Sequence, residues 1–270
     1  MITTHHLDVP GARLFYTISG SGPVLLIAQG GVQDADGARL LAEQLPEFTV
    51  VSWDRRGLSR STVEPGEPPL VLSVHADDAR RILAAVSPGT PAYVFGSSIG
   101  ALVGLDLLTR SPDHVRRLVA HEPPVPALLD PARTAELVAM QDRLEAAYRA
   151  GGALAGMREF IASFGVDPSD HEPQVSAPAR NPAQLANVER FLSVDGPAVR
   201  RYQLDLAAVR AHAATLVVAV GASSRATLHA ASALALASTL GTEVVELPGG
   251  HGGYGTHPRA FAAALRCVLR

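Results

Sequence analysis

Apolar and polar positions divide the chain into short apolar runs and longer amphipathic ones. Residues 5–19 read as two strands joined at Pro10-Gly11, with Leu14, Tyr16 and Ile18 alternating in the second. Val24–Ala28 is a continuous apolar run, the pattern of a strand buried on both faces. Further strands are expected at Phe48–Trp53, Ala92–Gly96, Val115–Ala120, Ala214–Gly221 and Glu243–Leu247. Helical spacing falls between them. It covers about 35–45, then Val71–Val86 with Leu72, Ala76, Ala79, Ile82, Leu83 and Val86 inward and Asp77, Asp78, Arg80 and Arg81 outside. It returns from Ala101 to about Arg110, at about 227–240 and from about Pro258 to Leu269. Pro65–Pro69 reads as a loop. The alternation breaks from about 124 to 210, where Thr134–Arg149, Ala153–Phe164 and Ala183–Leu192 are helical and joints such as Pro173–Pro182 separate them.

Alternating strands and helices imply an α/β chain: a mostly parallel sheet of eight strands, with helices on both faces. Residues 1–123 and 211–270 are expected to form that core, and residues 124–210 an inserted helical cap. Sites in such sheets lie beyond the carboxyl ends of the strands. Gly30-Gly31, Ser98, Glu122, Ser223 and His251 all follow strands at that edge.

One stretch concentrates the candidate chemistry. An apolar run, Ala92-Tyr-Val-Phe, enters Gly96-Ser97-Ser98-Ile99-Gly100, and a helical pattern leaves it. This is the strand–turn–helix setting of the G-x-S-x-G pattern, with Ser98 at its centre. Small neighbours let strand and helix pass closely around a strained residue, and the helix N-terminus favours developing negative charge. A Gly/Ser turn of no chemical role has the same composition, so partners decide between the two. A serine hydroxyl needs a base. Among ten histidines, His251 in Pro248-Gly-Gly-His-Gly-Gly-Tyr254 has the freedom to reach the turn, and His121 at the sheet edge competes with it. His5, His6, His114 and His171 have no motif around them. Asp54-Arg55-Arg56-Gly57-Leu58-Ser59-Arg60 is expected to tie down its own loop rather than bind substrate.

Composition narrows the classes further. The 270 residues are 47% hydrophobic with a net charge of -3, which gives no electrostatic case for nucleic acid or an anionic membrane. All 23 basic residues are arginine, as in a chain from a GC-rich bacterial source. Without lysine there is neither a Schiff-base nor a P-loop lysine. One cysteine, Cys267, excludes an internal disulfide and is expected to pack in the last helix. No H-x-x-x-H or clustered carboxylate–histidine spacing suggests a metal. The N-terminus lacks the features of a signal peptide, and no apolar run approaches about 18 residues. A cytoplasmic protein with no membrane span is therefore expected.

These features together resemble the α/β-hydrolase family over essentially the whole chain. The matching residues are Gly30-Gly31, Asp54-Arg-Arg-Gly-Leu-Ser59, the Gly96–Gly100 turn and Gly250-His251-Gly252. The resemblance implies a nucleophile–acid–histidine order, with Ser98 and His251 as the outer members. Most of the family place an aspartate after the penultimate strand. Here that turn reads Gly221-Ala-Ser-Ser-Arg225, without a carboxylate. Some members carry the acid after the strand that follows the elbow helix. Fungal zearalenone lactonases resemble this chain in a His-Glu-x-Pro stretch there, matching His121-Glu122-Pro123-Pro124. Glu122 is thus the implied acid, with an arginine-paired Glu122 and an orienting Ser223 or Ser224 as the alternative. The implied oxyanion hole is the backbone N–H of Gly31 and of Ile99. The implied activity is cofactor-free hydrolysis of a carboxylic ester or lactone of a moderately hydrophobic small molecule, by way of an acyl-enzyme. The same scaffold also runs carbon–carbon bond hydrolysis and perhydrolysis, or serves as a small-ligand receptor. The sequence carries no signal for an oligomeric state.

Overall fold

A computed structural model describes residues 1–67, 70–165, 167, 169–175 and 182–270. The expected Pro65–Pro69 loop and Pro173–Pro182 joint lie partly outside these. The chain opens with β1 (Ile2–Val9) and β2 (Ala12–Ser19), an antiparallel pair turned by Gly11 at φ 72. There follow β3 (Val24–Ala28), α1 (Arg39–Glu43), β4 (Thr49–Trp53), the two-residue β5 (Thr62–Val63) and α2 (Leu72–Val86). Next come β6 (Ala92–Ser97), α3 (Ile99–Arg110) and β7 (Val115–His121). Four helices then succeed one another: α4 (Pro131–Ser163), α5 (Pro182–Arg190), α6 (Gly196–Arg201) and α7 (Leu206–Ala211), with a π-turn (Phe191–Asp195) joining α5 to α6. The core resumes with β8 (Leu216–Gly221), α8 (Leu228–Leu240), β9 (Val244–Leu247), the short α9 (Gly253–Thr256) and α10 (Pro258–Leu269).

Eight strands lie in the order β1-β2-β4-β3-β6-β7-β8-β9, and β5 pairs with the start of β2. From β4 to β9 every pairing is parallel. The sequence did not signal β5, whose two residues are too few to show a period. Alternate residues of the central strands feed opposite faces, as pleating requires. Leu26, Val94 and Leu118 join Ile82, Leu105 and Leu236 on one face. Leu25, Phe95 and Val119 join Leu41, Phe261 and Leu265 on the other. Because β3 has β4 on one side and β6 on the other, the chain reverses direction across the sheet between β3 and β6. Ligand crevices form beyond the carboxyl ends of strands at such a switch. Gly30-Gly31 and Ser98 stand on its two sides.

Two expectations about faces are corrected. The helical period puts Asp78 on the outer face of its helix, but it is fully buried and accepts from Arg56 Nε at 2.8 Å and Nη2 at 2.6 Å. The Asp54–Arg60 loop lies against α2, so the pair is buried together and mutually satisfied. Cys267 was expected to pack, but it is exposed. Phe261, Ala262, Leu265 and Leu269 carry the inward face of α10 instead.

The α4 run is broken at Gly152, whose φ of 68 and ψ of -163 separate two helices, as the spacing of the two apolar patterns implied. Among the described residues no helix is long and apolar enough to cross a membrane.

Candidate active site

β6 runs into α3 through a single residue. Ser98 has φ 55 and ψ -122, a conformation held only where the surroundings enforce it. Glycines make the room. A Cβ on Gly100 would come within 2.0 Å of Ala28 O, and one on Gly96 within 2.3 Å of Gly100 O. The Ser98 N–H donates to His121 O at 2.9 Å, and its carbonyl accepts from the N–H groups of Ala101 and Leu102, so both flanks of the turn are pinned. The hydroxyl makes no hydrogen bond among the described residues, and Ser98 lines a cavity.

Glu122 lies one residue beyond β7, with φ 48 and its N–H donating to Ala219 O at 2.9 Å. Its carboxylate is 1% exposed and fully engaged. Oε1 accepts from Gly221 N–H at 2.9 Å and from the Ser224 hydroxyl, and Oε2 accepts from His251 Nδ1 at 2.5 Å. Burial alone would raise this carboxyl. The hydrogen bond and charge of His251, helped by His121 and Ser224, outweigh it and hold the group down at about 2. An ionised carboxylate only accepts, so the proton between them sits on His251 Nδ1 and leaves Nε2 with its lone pair. The His251 ring stacks on Phe164, centroids 4.6 Å apart at 17°.

Ser98, Glu122 and His251 line the same cavity, joined by Ile99. Ile99 is the first residue of α3, so its N–H has no acceptor within the helix. Gly31, at φ 45, lies next to the cavity, where a Cβ would meet the lining Phe160 ring at 3.9 Å. The Arg55 guanidinium holds the loop that carries Gly31, donating to Gly31 O and, at 2.8 Å, to Gln29 O. Arg55 also reaches Asp195 in the π-turn at 3.3 Å, and Asn187 of α5 donates to Val32 O at 3.1 Å. These contacts fasten the helical segment to the Gly30-Gly31 loop. Asp54 accepts from the N–H groups of Ala35 and Arg60 and from the Arg60 guanidinium, all within 2.9 Å. The charges of this stretch thus tie the loop down.

His121 does not reach the cavity. It is fully buried, with Nδ1 3.3 Å from Ser97 Oγ, and burial pushes it down to about 4. Ser223 donates to Asp170 and Ser224 to Glu122, so neither orients His251. Glu122 pairs with His251 rather than with an arginine.

The cavity offers about 130 Å³ to the centre of a water-sized sphere. One water needs roughly 10–15 Å³ by that measure, so a small organic molecule fits. Its walls are mostly apolar and come from the segment between β7 and β8: Leu129, Leu137, Met140, Leu144, Phe160 and Phe191. His229, at the start of α8, also faces it. His229 sits in no sequence motif. Its signal was positional, since it opens the helix after β8, at the edge that carries Ser98 and His251. Among the described residues no three His, Cys, Asp or Glu side chains gather as a metal site.

Sheet order, elbow and cavity describe one class of protein, and comparison with known proteins gives the same class. The model of the alpha/beta hydrolase fold matches residues 23–258, and the chain belongs to that family. The uncharacterized hydrolase YraK of Bacillus subtilis (strain 168) is 34% identical over 268 residues, 97% of this chain and 94% of its own length. An α/β hydrolase from Sphaerobacter thermophilus superposes with a TM-score of 0.69 at 26% identity, over 98% of this chain and 100% of that one. A thermophilic esterase from Thermogutta terrifontis gives 0.73 at 20% identity, over 99% and 98%. The chain is a hydrolase of this family.

Proposed function

We propose that this hydrolase cleaves a carboxylic ester or lactone of a moderately hydrophobic small molecule through an acyl-enzyme on Ser98. The observation that carries the reading is the buried Glu122–His251 pair, which opens onto the same cavity as Ser98. A serine hydroxyl is a weak nucleophile until a base takes its proton. His251 Nε2, with its lone pair kept by the proton on Nδ1, is that base.

In the first half-reaction Ser98 Oγ bonds to the scissile carbonyl carbon as its proton passes to His251. Glu122 stays ionised and stabilises the imidazolium. The oxyanion is received by the N–H groups of Ile99 and Gly31, each donor worth about 3–4 kcal/mol in the transition state. The tetrahedral adduct collapses, the carbon–oxygen bond of the ester breaks, and the leaving oxygen takes the proton from His251. In the second half-reaction His251 takes a proton from a water, whose oxygen bonds to the acyl carbon; the bond to Ser98 Oγ then breaks as His251 returns that proton to Ser98 Oγ. No cofactor is consumed.

The helical segment, residues 124–210, serves as a cap, and its apolar lining favours an apolar acyl or alcohol group over a sugar or a phosphate. Labelling with a fluorophosphonate followed by peptide mass spectrometry tests the reading. Rapid modification at Ser98 is expected, with Ser98→Ala losing both labelling and ester turnover at unchanged thermal stability. Ester turnover that survives in Ser98→Ala would defeat the proposal.

A further inference from the structure

Of the polar side chains that line the cavity and that the proposed chemistry leaves idle, which also include Gln141, Glu145, Tyr148, Arg200 and Ser232, His229 is the one whose ring stands beside that of His251. His229 is the second residue of α8. Its ring centroid lies 5.1 Å from that of His251, 4.5 Å from Phe164 and 6.4 Å from Phe160. Its two nitrogens are not equivalent. Ser163 Oγ stands 2.6 Å from Phe160 O and 3.0 Å from His229 Nε2. A hydroxyl has one proton and a carbonyl has none, so the Ser163 proton goes to Phe160 O. Ser163 Oγ must then accept from His229 Nε2–H. That fixes the tautomer and leaves a lone pair on Nδ1, which has no partner among the described residues.

The ring is also neutral. Burial first, then the charge of a protonated His251, push it down to about 3, and the start of a helix disfavours positive charge. His229 is therefore no second acid or base. It is a neutral acceptor in a mostly apolar chamber, and such a group discriminates by what it leaves unpaired.

We propose that His229 sets substrate specificity by accepting, at Nδ1, a hydrogen bond from a hydroxyl or amide N–H that the substrate carries beside its scissile carbonyl. The ring spacing sets the distance. The His229 and His251 rings are 5.1 Å apart in one cavity, so a substrate whose scissile carbonyl is served by His251 can carry a donor to His229 on the carbon next to that carbonyl. A methoxy group or a second carbonyl there meets the lone pair with one of its own. The proposal rests on the hydrolase reading at Ser98 for its account of turnover, but not for its account of binding.

Four phenyl esters of butyric acid test it: 2-hydroxy, 2-acetylamino, 2-methoxy and unsubstituted. In the wild type one or both donor-bearing esters are expected to exceed the methoxy ester by about 10–100-fold in kcat/KM, and the better of the two identifies the donor. His229→Phe keeps the aromatic shape and is expected to bring the ratio to about one. His229→Gln, which restores an acceptor, recovers part of it. The ratio is the readout, so a loss shared by all four esters cancels. Nitrogen-15 shifts of His229 should report a protonated Nε2 and a bare Nδ1, with Nδ1 moving when a donor ester binds to Ser98→Ala. Calorimetric affinities for Ser98→Ala should follow the same order and lose it in the double variant. An equal ratio in wild type and His229→Phe, or a methoxy ester as good as both donor-bearing esters, overturns the proposal. Ordered affinities without any ester turnover would leave it standing and instead remove the acyl-enzyme reading.

Discussion

Glu122 keeps its charge where burial alone would discharge a carboxyl, because both oxygens are occupied by donors. Glu122→Gln replaces a pure acceptor with a group that also donates, so the wrong His251 tautomer becomes available. On the proposed mechanism kcat should fall by about 10³–10⁴-fold. Fluorophosphonate labelling of Ser98 should slow in step, and labelling at the wild-type rate would show that the pair does not activate the serine. Ser98, Glu122 and His251 are singled out in the sequence because each lies in a turn that ends an apolar run, at one edge of a parallel sheet, and the family resemblance then points to Glu122 as the acid. The position of His229 after β8 is visible in the sequence, but its role is not, because that depends on Ser163 and Phe160, which lie 66 and 69 positions away and meet it only in the folded chain.

The elbow shows how strictly one element can depend on its smallest residues. A methyl group on Gly100 would overlap Ala28 O, a backbone atom of the neighbouring strand that cannot move aside alone. Gly100→Ala should lower stability by about 3 kcal/mol or more, read as a shifted urea midpoint. A midpoint like that of the wild type would mean that strand and helix are less closely bound than the geometry requires. The central parallel strands were legible here because burial on both faces produces unbroken apolar runs. Faces of helices were less so. In α2 the period of 3.6 sorted Asp78 outward on its charge, whereas Arg56, reached only through tertiary folding, makes burial tolerable. The helices between β7 and β8 were legible as helices. Their fastening to the Gly30-Gly31 loop by Asn187 and Asp195 was not, because single polar residues carry no period.

Across the molecule His75, His121, His229 and Glu122 are all held below their ordinary values, the histidines chiefly by burial and Glu122 by its partners, whereas burial raises Asp78. His121 titrates near 4 and His229 near 3, against 6.5 for a free imidazole, and Glu122 near 2 against 4.5. In each case the unfolded chain takes up a proton before the fold does. Stability should therefore be complete above about pH 6.5 and decline as the pH falls, first through the histidines and below about 4.5 also through Glu122. His121 contributes to that slope down to about 4, by up to a few kcal/mol. His121→Phe should have a smaller difference in urea midpoint between pH 7 and pH 5 than the wild type. An unchanged difference would mean that His121 is not a source of the acid sensitivity. The exposed Cys267 bears on how such measurements can be made. It lies near the end of α10, where Arg117 at the start of β7 holds Val268 O, at the amino edge of the sheet and away from Ser98. The chain has no other thiol. A single maleimide-linked fluorophore or spin label can thus be placed at a defined point on the face remote from the cavity, and unfolding or ligand occupancy followed optically while the cavity itself carries no reporter.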